Sequence, residues 1–447
     1  MTALNKQQKK ASAPTGGVEL LIAGAGTGKT KTLVEKVSNI IKVLSYQPES
    51  ILILTFSRKA AAEIKERIKI KVGPEAEKII SGTFHSFCLN FLRSNQEIFK
   101  KNFSFEKFPS VLREEQKKII LNSIFENQLS NFKGLPISVI EKLIFKIDDL
   151  SKESKNKLAK ADLLDNFYEV INFFSQEKKR LNLIDYNDMI NFTINLLTEN
   201  KKLREKTQSK FNYLLVDEFQ DTSTKNFALL NLLLSPKKMN LFAVGDDWQS
   251  IYGFRKAQVE YIVKMKKFFP KVVIHKLDLN YRSRTEIVEL SNKFIKKNKF
   301  RTNKKLTSAK GKGGQIYFHH LNSPKEEPAL LEKIISQEKA SKDLAILYRN
   351  NRQGEILEKN LNLSELNLSE VNFMTMHASK GLEFETIIIS GVADHIIPDK
   401  TSNLEEERRL FYVALSRAKE KIHIISYLNK NKTLPLFTKE LGFSLTT

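Results

Sequence analysis

Residues 23–30 read Ala-Gly-Ala-Gly-Thr-Gly-Lys-Thr, a glycine-rich segment that we call the phosphate loop. An apolar run before it predicts a buried strand, and apolar periodicity after it predicts a helix. In that setting backbone N–H groups can approach phosphate oxygens closely, because glycine carries no side chain. Lys29 can reach the β- and γ-phosphates, and the Thr30 hydroxyl can join the shell of a Mg²⁺ ion. Ala23 stands where the strict pattern has glycine, and a plain strand-to-helix turn is the disfavoured alternative.

An acidic pair, Asp217-Glu218, ends a second apolar strand pattern much further along the chain. Asp217 is placed to hold Mg²⁺ in its outer shell, and Glu218 to orient or deprotonate an attacking water. Taken alone, such a pair is more simply explained as a solvated strand end. Together with the phosphate loop, it predicts ATP hydrolysis.

The charge balance points to a polyanionic partner. Lys and Arg number 74 against 51 Asp and Glu, so the 447-residue chain has a formal net charge of +23. Clustered cations gain affinity for phosphates by displacing counterions, and nucleic acid is favoured over an anionic membrane surface. The basic, glycine-rich segment 304–314 is expected to be an exposed loop, either a solvated turn or a DNA contact.

Residue usage excludes several classes of protein. Cys88 is the one cysteine, which rules out a disulfide framework, a CxxC zinc site and a four-cysteine iron–sulfur cluster. The histidines show no HExxH spacing. No run approaches the roughly 18 apolar residues of a membrane span, and no signal-peptide pattern is present. A cytoplasmic protein without a membrane partner is expected.

The order of strand and helix patterns predicts an α/β fold. Apolar strands alternate with helices before residue 89, which indicates a parallel sheet covered on both faces. Almost only helical periodicity follows, until strand patterns return and should rejoin that sheet. A second α/β region begins near Val272, with Val-Val-Ile-His-Lys-Leu-Asp-Leu as its first strand. The predicted divisions are a first core at 1–88 and 209–270, a helical insertion at 89–208 and a second core at 271–447.

Further distinctive segments occur in a definite order. They are Leu4-Asn5-x-x-Gln8, Thr55-Phe56-Ser57-Arg58-Lys59-Ala60-Ala61, Thr83-Phe84-His85-Ser86-Phe87, Asp217-Glu218-Phe219-Gln220-Asp221, Gly245-Asp246-Asp247-Trp248-Gln249-Ser250-Ile251-Tyr252, Asn280-Tyr281-Arg282-Ser283, Thr375-Met376-His377-Ala378-Ser379-Lys380-Gly381-Leu382-Glu383-Phe384 and residues 407–419. With the phosphate loop, they resemble superfamily 1A DNA helicases of the UvrD/Rep type over nearly the whole chain. Residues 242–249 and 373–381 look most similar to the helicase core of DNA helicase IV.

The resemblance implies two RecA-like P-loop NTPase cores, with a helical insertion in the first, that use ATP and Mg²⁺. Its nucleotide-binding residues would be Gln8, Ala23, Gly24, Ala25, Gly26, Thr27, Gly28, Lys29, Thr30, Lys31, Tyr281, Arg282, Glu383 and Arg417. Its catalytic residues would be Lys29, Asp217, Glu218, Gln249, Arg282 and Arg417, with Thr30 and Asp217 at the metal. Because Arg282 and Arg417 lie in the second core, the γ-phosphate charge would be neutralised only when the cores close over ATP.

The resemblance also implies a set of DNA contacts along a cleft. These residues are Phe56, Arg58, Thr83, His85, Trp248, Tyr252, Phe254, Arg255 and His377. Aromatic side chains offer bases a surface on which to stack. Phe56 is equally a candidate for the core, and one of Tyr252 and Phe254 is expected to be core. Arg255 is expected to hold a phosphate rather than to be merely solvated, and His377 to make a DNA-backbone or coupling contact rather than a structural one.

The chain departs from larger UvrD/Rep members in the interval 284–374, which holds two strand patterns and leaves no room for their second helical insertion, the 2B subdomain. The resemblance implies 3′-to-5′ movement on single-stranded DNA, with tailed duplex DNA and repair or recombination proteins as partners and a monomer favoured. Either the chain unwinds duplex DNA in repair or recombination, or it translocates, displaces proteins and needs a partner to unwind. A non-hydrolysing DNA-binding module is disfavoured by the intact catalytic set. RNA as a substrate is left open.

Overall fold

The computed structural model describes residues 3–128, 163–338, 343–361 and 371–445. Residues 129–162, within the predicted helical insertion, lie outside the described residues. The chain separates into two compact units. The larger comprises Met1–Ser81, Lys210–Thr224 and Leu234–Thr447, and the smaller comprises Gly82–Ser209 and Lys225–Leu233.

The first sheet of the larger unit contains the phosphate loop at the end of one of its strands. Across the sheet the described strands run in the order Ile80–Thr83, Ile51–Thr55, Tyr213–Val216, Leu241–Gly245, Val18–Ala23 and Val273–Leu277. From Ile51–Thr55 onward, neighbouring strands pair in parallel. The inner strands are buried at every position, as a parallel sheet covered on both faces requires.

Val273–Leu277 corrects one prediction. This strand pairs with Val18–Ala23 at the edge of the first sheet, with Glu19 opposite Val273 and Ala23 opposite Leu277. Its assignment to the second α/β region was therefore wrong. The pattern of the strand fits the edge of either sheet, and only long-range pairing decides between them.

Several helices pack around the first sheet, of which Lys6–Ala11 precedes its first strand and the others come later in the chain. They are Lys6–Ala11, Lys29–Lys42, Arg58–Val72, Glu260–Val263 and Met265–Phe268. One face of the sheet is filled by a cluster that includes Leu33, Val37, Ile53, Leu215 and Val244. The apolar positions of the Lys29–Lys42 helix recur at helical spacing, so this face places the start of the helix directly after the phosphate loop.

A second parallel sheet occupies the C-terminal part of the larger unit. Across it the described strands run in the order Gln315–Leu321, Ala418–Tyr427, Phe384–Val392, Leu344–Tyr348 and Val371–Thr375. The helices Thr285–Ile295, Leu404–Leu415 and Leu436–Leu441 contribute to one apolar cluster, and Glu327–Gln337 and Asn351–Asn360 to another. A short parallel pair, Leu279–Asn280 with Thr307–Ser308, precedes this sheet. The predicted α/β class with two parallel sheets is confirmed.

The smaller unit is mainly helical. Its described helices are Phe84–Ser94, Gln96–Phe103, Glu114–Gln128, Leu163–Arg180, Tyr186–Glu199, Lys201–Lys210 and Thr224–Leu233. Ser110–Val111 pairs with Leu183–Ile184 as a short parallel ladder. A buried Phe99 contacts the rings of Phe103, Phe105, Phe108 and Phe192, which gives the unit an aromatic centre. None of the described helices combines the length and apolarity that a membrane crossing requires.

Candidate functional site

The phosphate loop leaves the carboxyl end of Val18–Ala23 and enters the helix that begins at Lys29. Gly26 and Gly28 have φ of 67° and 84°, a left-handed conformation that glycine adopts without strain. A Cβ on Gly26 would lie 2.7 Å from the Cβ of Arg282, so the loop also needs glycine for space. Ala23 ends the strand and is fully buried, and its methyl group is accommodated in the core. The departure from the strict pattern therefore leaves the loop itself unchanged.

A cavity of about 370 Å³ opens over the loop. Its lining residues are Gly24, Gly26, Thr27, Gly28, Lys29, Thr30, Lys31, Arg67, Tyr281, Arg282 and Glu383. The structure thus brings most of the predicted nucleotide residues to one cavity. Arg67 was not predicted, because it is one cation among many on the helix Arg58–Val72 and its sequence neighbours give no signal.

Gln8 lies beside this cavity in a turn that its own side chain stabilises. Asn5 and Gln8 form a reciprocal capping box at the start of the helix Lys6–Ala11. The Gln8 amide also donates from Nε2 to the carbonyl oxygen of Thr27, at 3.0 Å. Asn5 donates to the hydroxyl of Tyr281 at 2.8 Å, and the ring of Tyr281 is exposed. These contacts connect Gln8 and Tyr281, two of the predicted nucleotide-binding residues, through Asn5 to the phosphate loop.

The acidic pair lies next to the loop lysine. Lys29 Nζ is 3.7 Å from Glu218 Oε1, and Gln220 donates to the other oxygen of that carboxylate. Burial raises the pKa of Glu218, but the cations of Lys29 and Lys380 outweigh it and lower that pKa to about 2. Burial and the Glu218 charge raise the pKa of Asp217 to about 7. At neutral pH the pair therefore divides into one firmly ionised carboxylate, Glu218, and one that is near its titration midpoint, Asp217.

Arg282 and Arg417 occupy different positions at the site. Arg282 lines the cavity, where its Nε donates to Glu383 Oε2 at 2.8 Å. Arg417 is fully buried, and its Nη2 donates to Gln249 Oε1 at 3.0 Å. Burial, with Arg282 nearby, lowers the pKa of Arg417 to about 9. Arg282 is thus at the cavity surface, while Arg417 is buried against Gln249 and is not among the residues that line the cavity.

Lys380 connects the acidic segment to an aromatic ring. Its Nζ lies 2.5 Å from Asp221 Oδ2 and donates to the carbonyl oxygen of Gln249 at 3.0 Å. The same ammonium lies 4.7 Å from the centre of the Tyr252 ring. Lys380 was within a motif segment but was not among the predicted site residues, because sequence alone does not show whether the lysine of that segment turns inward or faces solvent.

Predicted DNA-contact residues form a row of side chains that we call the aromatic row, made of Phe56, Tyr252, Phe254 and His377. Phe56 stacks on Tyr252 at 4.9 Å, Tyr252 meets Phe254 at 5.8 Å, and Phe254 meets His377 at 5.7 Å. Tyr252 is half-buried against the apolar cluster of the second sheet, whereas Phe254 is 52% exposed. Tyr252 is therefore the core member of the two. Arg255 is exposed and lies over both of their rings.

Trp248 departs from its predicted role. Its exposed fraction is 0%, and it packs edge-on against Tyr412 at 5.5 Å. The ammonium of Lys304 lies 4.5 Å from the centre of its ring. A base has no access to this ring, so the prediction that Trp248 stacks on DNA was wrong. The motif position alone cannot distinguish an aromatic residue that faces the cleft from one that supports it.

Lys304 departs from its predicted exposure as well. It is buried and contacts Asp246 Oδ1 at 2.5 Å and Asp247 Oδ1 at 2.9 Å. Leu306 is buried too, while Gly311 and Gly313 are exposed. The expectation of an exposed loop was therefore wrong at the start of segment 304–314, because buried carboxylates draw a cation inward.

The remaining predicted DNA contacts begin helices. Arg58, in the larger unit, is exposed at the first position of the helix Arg58–Val72. In the smaller unit, Thr83 Oγ1 accepts from Ser86 N at 3.2 Å and caps the helix Phe84–Ser94. His85 packs edge-on against Tyr186 at 5.3 Å, and burial lowers its pKa. Tyr186 is exposed and was missed, because an isolated Tyr at a helix start has no distinctive pattern.

Comparison with known proteins agrees with this geometry. Residues 4–270 match the model of the UvrD/REP helicase N-terminal domain, and residues 275–368 and 362–430 match the UvrD-like helicase C-terminal domain. The chain is 33% identical to the ATP-dependent DNA helicase Rep of Buchnera aphidicola subsp. Acyrthosiphon pisum, over 96% of this chain and 69% of that protein. It is 32% identical to the ATP-dependent DNA helicase PcrA of Staphylococcus aureus, over 80% of this chain and 49% of that protein.

A second Rep helicase, from Buchnera aphidicola subsp. Schizaphis graminum, is 33% identical over 80% of this chain and 55% of its own length. The chain thus spans about half the length of several relatives that it matches. The particular likeness to DNA helicase IV stays a prediction. The matched segments cover most of the residues that form the two sheets and the cavity. The chain belongs to the UvrD/Rep family of helicases.

Proposed function

We propose that this chain is an ATP-driven motor that moves 3′ to 5′ along single-stranded DNA and unwinds duplex DNA in repair or recombination. The observation that carries the proposal is the position of Lys380. Its ammonium contacts Asp221 of the acidic segment and lies over Tyr252 of the aromatic row. A change at the nucleotide cavity therefore has a direct route to the surface that would hold bases.

The residues in and next to the cavity would each have a different role in ATP hydrolysis. Lys29 and Arg282 would bind the β- and γ-phosphates, and Glu218, ionised at neutral pH, would orient or deprotonate the attacking water. Arg417 would stabilise the charge that develops on the γ-phosphate, and Gln249 would hold Arg417 until ATP arrives. Lys29 and Arg282 line the same cavity, and Arg282 donates to the carbonyl oxygen of Ser416, the residue before Arg417.

Asp217 and Thr30 suit a Mg²⁺ ion. Asp217 Oδ1 is buried and, within the described residues, has no hydrogen-bond partner, which leaves a carboxylate oxygen free for the ion or its water. Oxygen ligands of this kind, few in number and completed by phosphates and water, are those that Mg²⁺ prefers. When bound, the ion would neutralise phosphate charge; Asp217 would hold its water shell and Thr30 would supply a hydroxyl oxygen.

The aromatic row would hold single-stranded DNA. Phe254 presents an open ring, and Phe56 and Tyr252 are already stacked on one another beside it. Arg255 adds a cation next to these rings for a phosphate. Stacking on such rings contributes roughly 1–3 kcal/mol per base and tolerates any sequence. Arg58, Thr83, His85 and His377 complete the proposed DNA contacts.

A second candidate is a translocase that displaces proteins but needs a partner to open duplex DNA. The interval 284–374 favours the translocase. Its described residues already include two strands of the second sheet, Gln315–Leu321 and Leu344–Tyr348. The second helical insertion of larger family members was predicted to be absent because of these strands. The proposed division into a first core, a helical insertion and a second core applies to both candidates.

Strand displacement separates the candidates. Duplexes with a 3′ or a 5′ single-stranded tail would be mixed with excess protein and ATP, while ATP turnover is followed on single-stranded DNA and RNA. Unwinding from the 3′ tail alone supports the helicase. DNA-stimulated turnover with displacement of streptavidin from a biotinylated strand, but without unwinding, supports the translocase. An absence of DNA-stimulated turnover would contradict both.

A further inference from the structure

Residues 302–306, which we call the strap, contact two of the motif segments at once. Thr302 donates to Asp247 from its backbone N at 2.7 Å and from Oγ1 at 2.5 Å. Lys304 contacts both Asp246 and Asp247. Leu306 packs against the phosphate loop, since a Cβ on Gly24 would lie 2.5 Å from its Cδ2. The strap is therefore placed to influence the loop and the residues that follow Leu241–Gly245.

A chain of hydrogen bonds leads from the strap to Arg417. Lys304 Nζ donates to Asp246 Oδ1 at 2.5 Å, and Gln249 Nε2 donates to the other oxygen, Asp246 Oδ2, at 2.5 Å. This fixes the Gln249 amide, since its nitrogen faces Asp246 and its oxygen faces Arg417. Gln249 Oε1 then accepts from Arg417 Nη2 at 3.0 Å. The orientation of one amide thus links Lys304 to the arginine at the γ-phosphate end of the site.

The charge of Lys304 is what allows this arrangement. Asp246 and Asp247 are adjacent and both fully buried, and two uncompensated carboxylates in such a place would repel one another. Trp248 N also donates to Asp246 Oδ1, at 3.1 Å, which leaves Oδ2 to Gln249. Without the ammonium, the repulsion between the two carboxylates would favour a turn of the Asp246 side chain, and such a turn removes the acceptor that Gln249 uses.

We propose that Lys304 is a positioning residue for ATP hydrolysis, which acts through Asp246 to keep Gln249 oriented toward Arg417. The inference rests on the proposed function, since it assigns a further residue to the same reaction. Lys304 touches no substrate itself. Its effect should appear in the rate of the chemical step rather than in the binding of ATP, because Arg282 and the phosphate loop line the cavity independently of it.

The test is the steady-state ATPase of full-length variants on saturating single-stranded DNA, with thermal melting to verify folding. Lys304→Met should lower kcat roughly tenfold to 100-fold, as misplacement of a positioned group does. The KM for ATP should stay within about threefold, since loss of an interaction made only in the transition state lowers kcat and kcat/KM together. Lys304→Arg should recover part of the lost kcat, because the positive charge is kept.

Lys36→Met is the matched control. Lys36 is as buried as Lys304, contacts Glu19 at 2.6 Å and lies over the Phe242 ring, but none of its hydrogen bonds leads to Gln249. A folded Lys304→Met protein with wild-type kcat, or with no greater loss of kcat than Lys36→Met, would overturn the inference. A wild-type chain without DNA-stimulated turnover would instead contradict the proposed function.

Asp246→Asn tests the role of Asp246 in orienting Gln249 if Lys304→Met does not fold. The Asn amide replaces one of the two acceptor oxygens with an NH₂ donor, so it cannot accept at both the position facing Lys304 and the position facing Gln249. It should force the Gln249 amide to turn and lower kcat by about tenfold or more at a similar KM. Wild-type kcat in a folded Asp246→Asn protein would likewise overturn the inference.

Discussion

Two buried lysines of the larger unit make the same kind of contact at opposite ends of the first sheet. Lys36 pairs with Glu19, the second residue of the strand Val18–Ala23. Lys304 pairs with Asp246, which directly follows the strand Leu241–Gly245. Both ammonium groups also lie over an aromatic ring, Phe242 at 5.0 Å and Trp248 at 4.5 Å.

Their carboxylates differ in what else they bind. Glu19 accepts from the hydroxyl of Tyr213 at 3.1 Å and lies 3.0 Å from His275, so it connects strands on either side of its own. Asp246 accepts from Gln249, a residue of the proposed reaction. Because ligands of parallel α/β sheets bind at the carboxyl ends of strands, the same ion pair stabilises the fold at one end and serves the site at the other. Burial and charge alone do not distinguish the two roles.

The largest effect is expected at Arg417, the last residue in the series of hydrogen bonds that begins at Lys304. Arg417→Ala should lower kcat by about 10³- to 10⁵-fold, the range for an arginine that stabilises transferred phosphoryl charge. ATP affinity should change little, because Arg417 does not line the cavity. Turnover under saturating ATP and binding of a fluorescent nucleotide would be measured together.

Arg408→Ala is the control for Arg417→Ala. Arg408 lies on the same helix, Leu404–Leu415, and pairs with Glu440 at 2.7 Å. It should retain turnover close to the wild type. A loss of nucleotide affinity in Arg417→Ala, with kcat unchanged, would contradict the proposed role.

Glu218→Gln should give the next largest effect, a decrease in kcat of about 10²- to 10⁴-fold. The amide keeps the shape of the side chain but cannot take a proton from water. Nucleotide binding should persist, since Lys29 then lacks its 3.7 Å carboxylate neighbour and remains available to phosphate. Single-turnover hydrolysis with preformed nucleotide complex isolates the chemical step, and normal hydrolysis there would remove Glu218 from the mechanism.

The sequence predicted the phosphate loop, the acidic pair and the two parallel sheets, because these depend on local patterns of apolar residues, glycines and carboxylates. It did not predict that Val273–Leu277 joins the first sheet or that Trp248 is enclosed, because both depend on contacts between distant segments. Lys304 shows the same limit. Within a run of basic residues no local feature marks the one lysine whose partners, Asp246 and Asp247, lie far away along the chain.

Phe254→Ala examines the aromatic row and should have a smaller effect. Loss of one stacking surface should weaken binding of single-stranded DNA by about 1–3 kcal/mol. Fluorescence anisotropy with a labelled oligonucleotide would measure it. Ile356→Ala, which removes an exposed apolar side chain elsewhere, is the control. Equal affinity in both variants would mean that bases do not stack on Phe254.

Lys36→Met should have the smallest effect on turnover and completes the comparison of the two lysines. It leaves Glu19 buried without its cation, which typically costs about 3–5 kcal/mol of unfolding free energy. The value should lie toward the lower end, because Tyr213 and His275 still contact the carboxylate. Chemical denaturation measures the loss, and kcat per folded molecule should remain near the wild type. If kcat instead falls as far as in Lys304→Met, the two ends of the sheet are not functionally distinct, and the ion pair at Asp246 is one more contact that the fold requires.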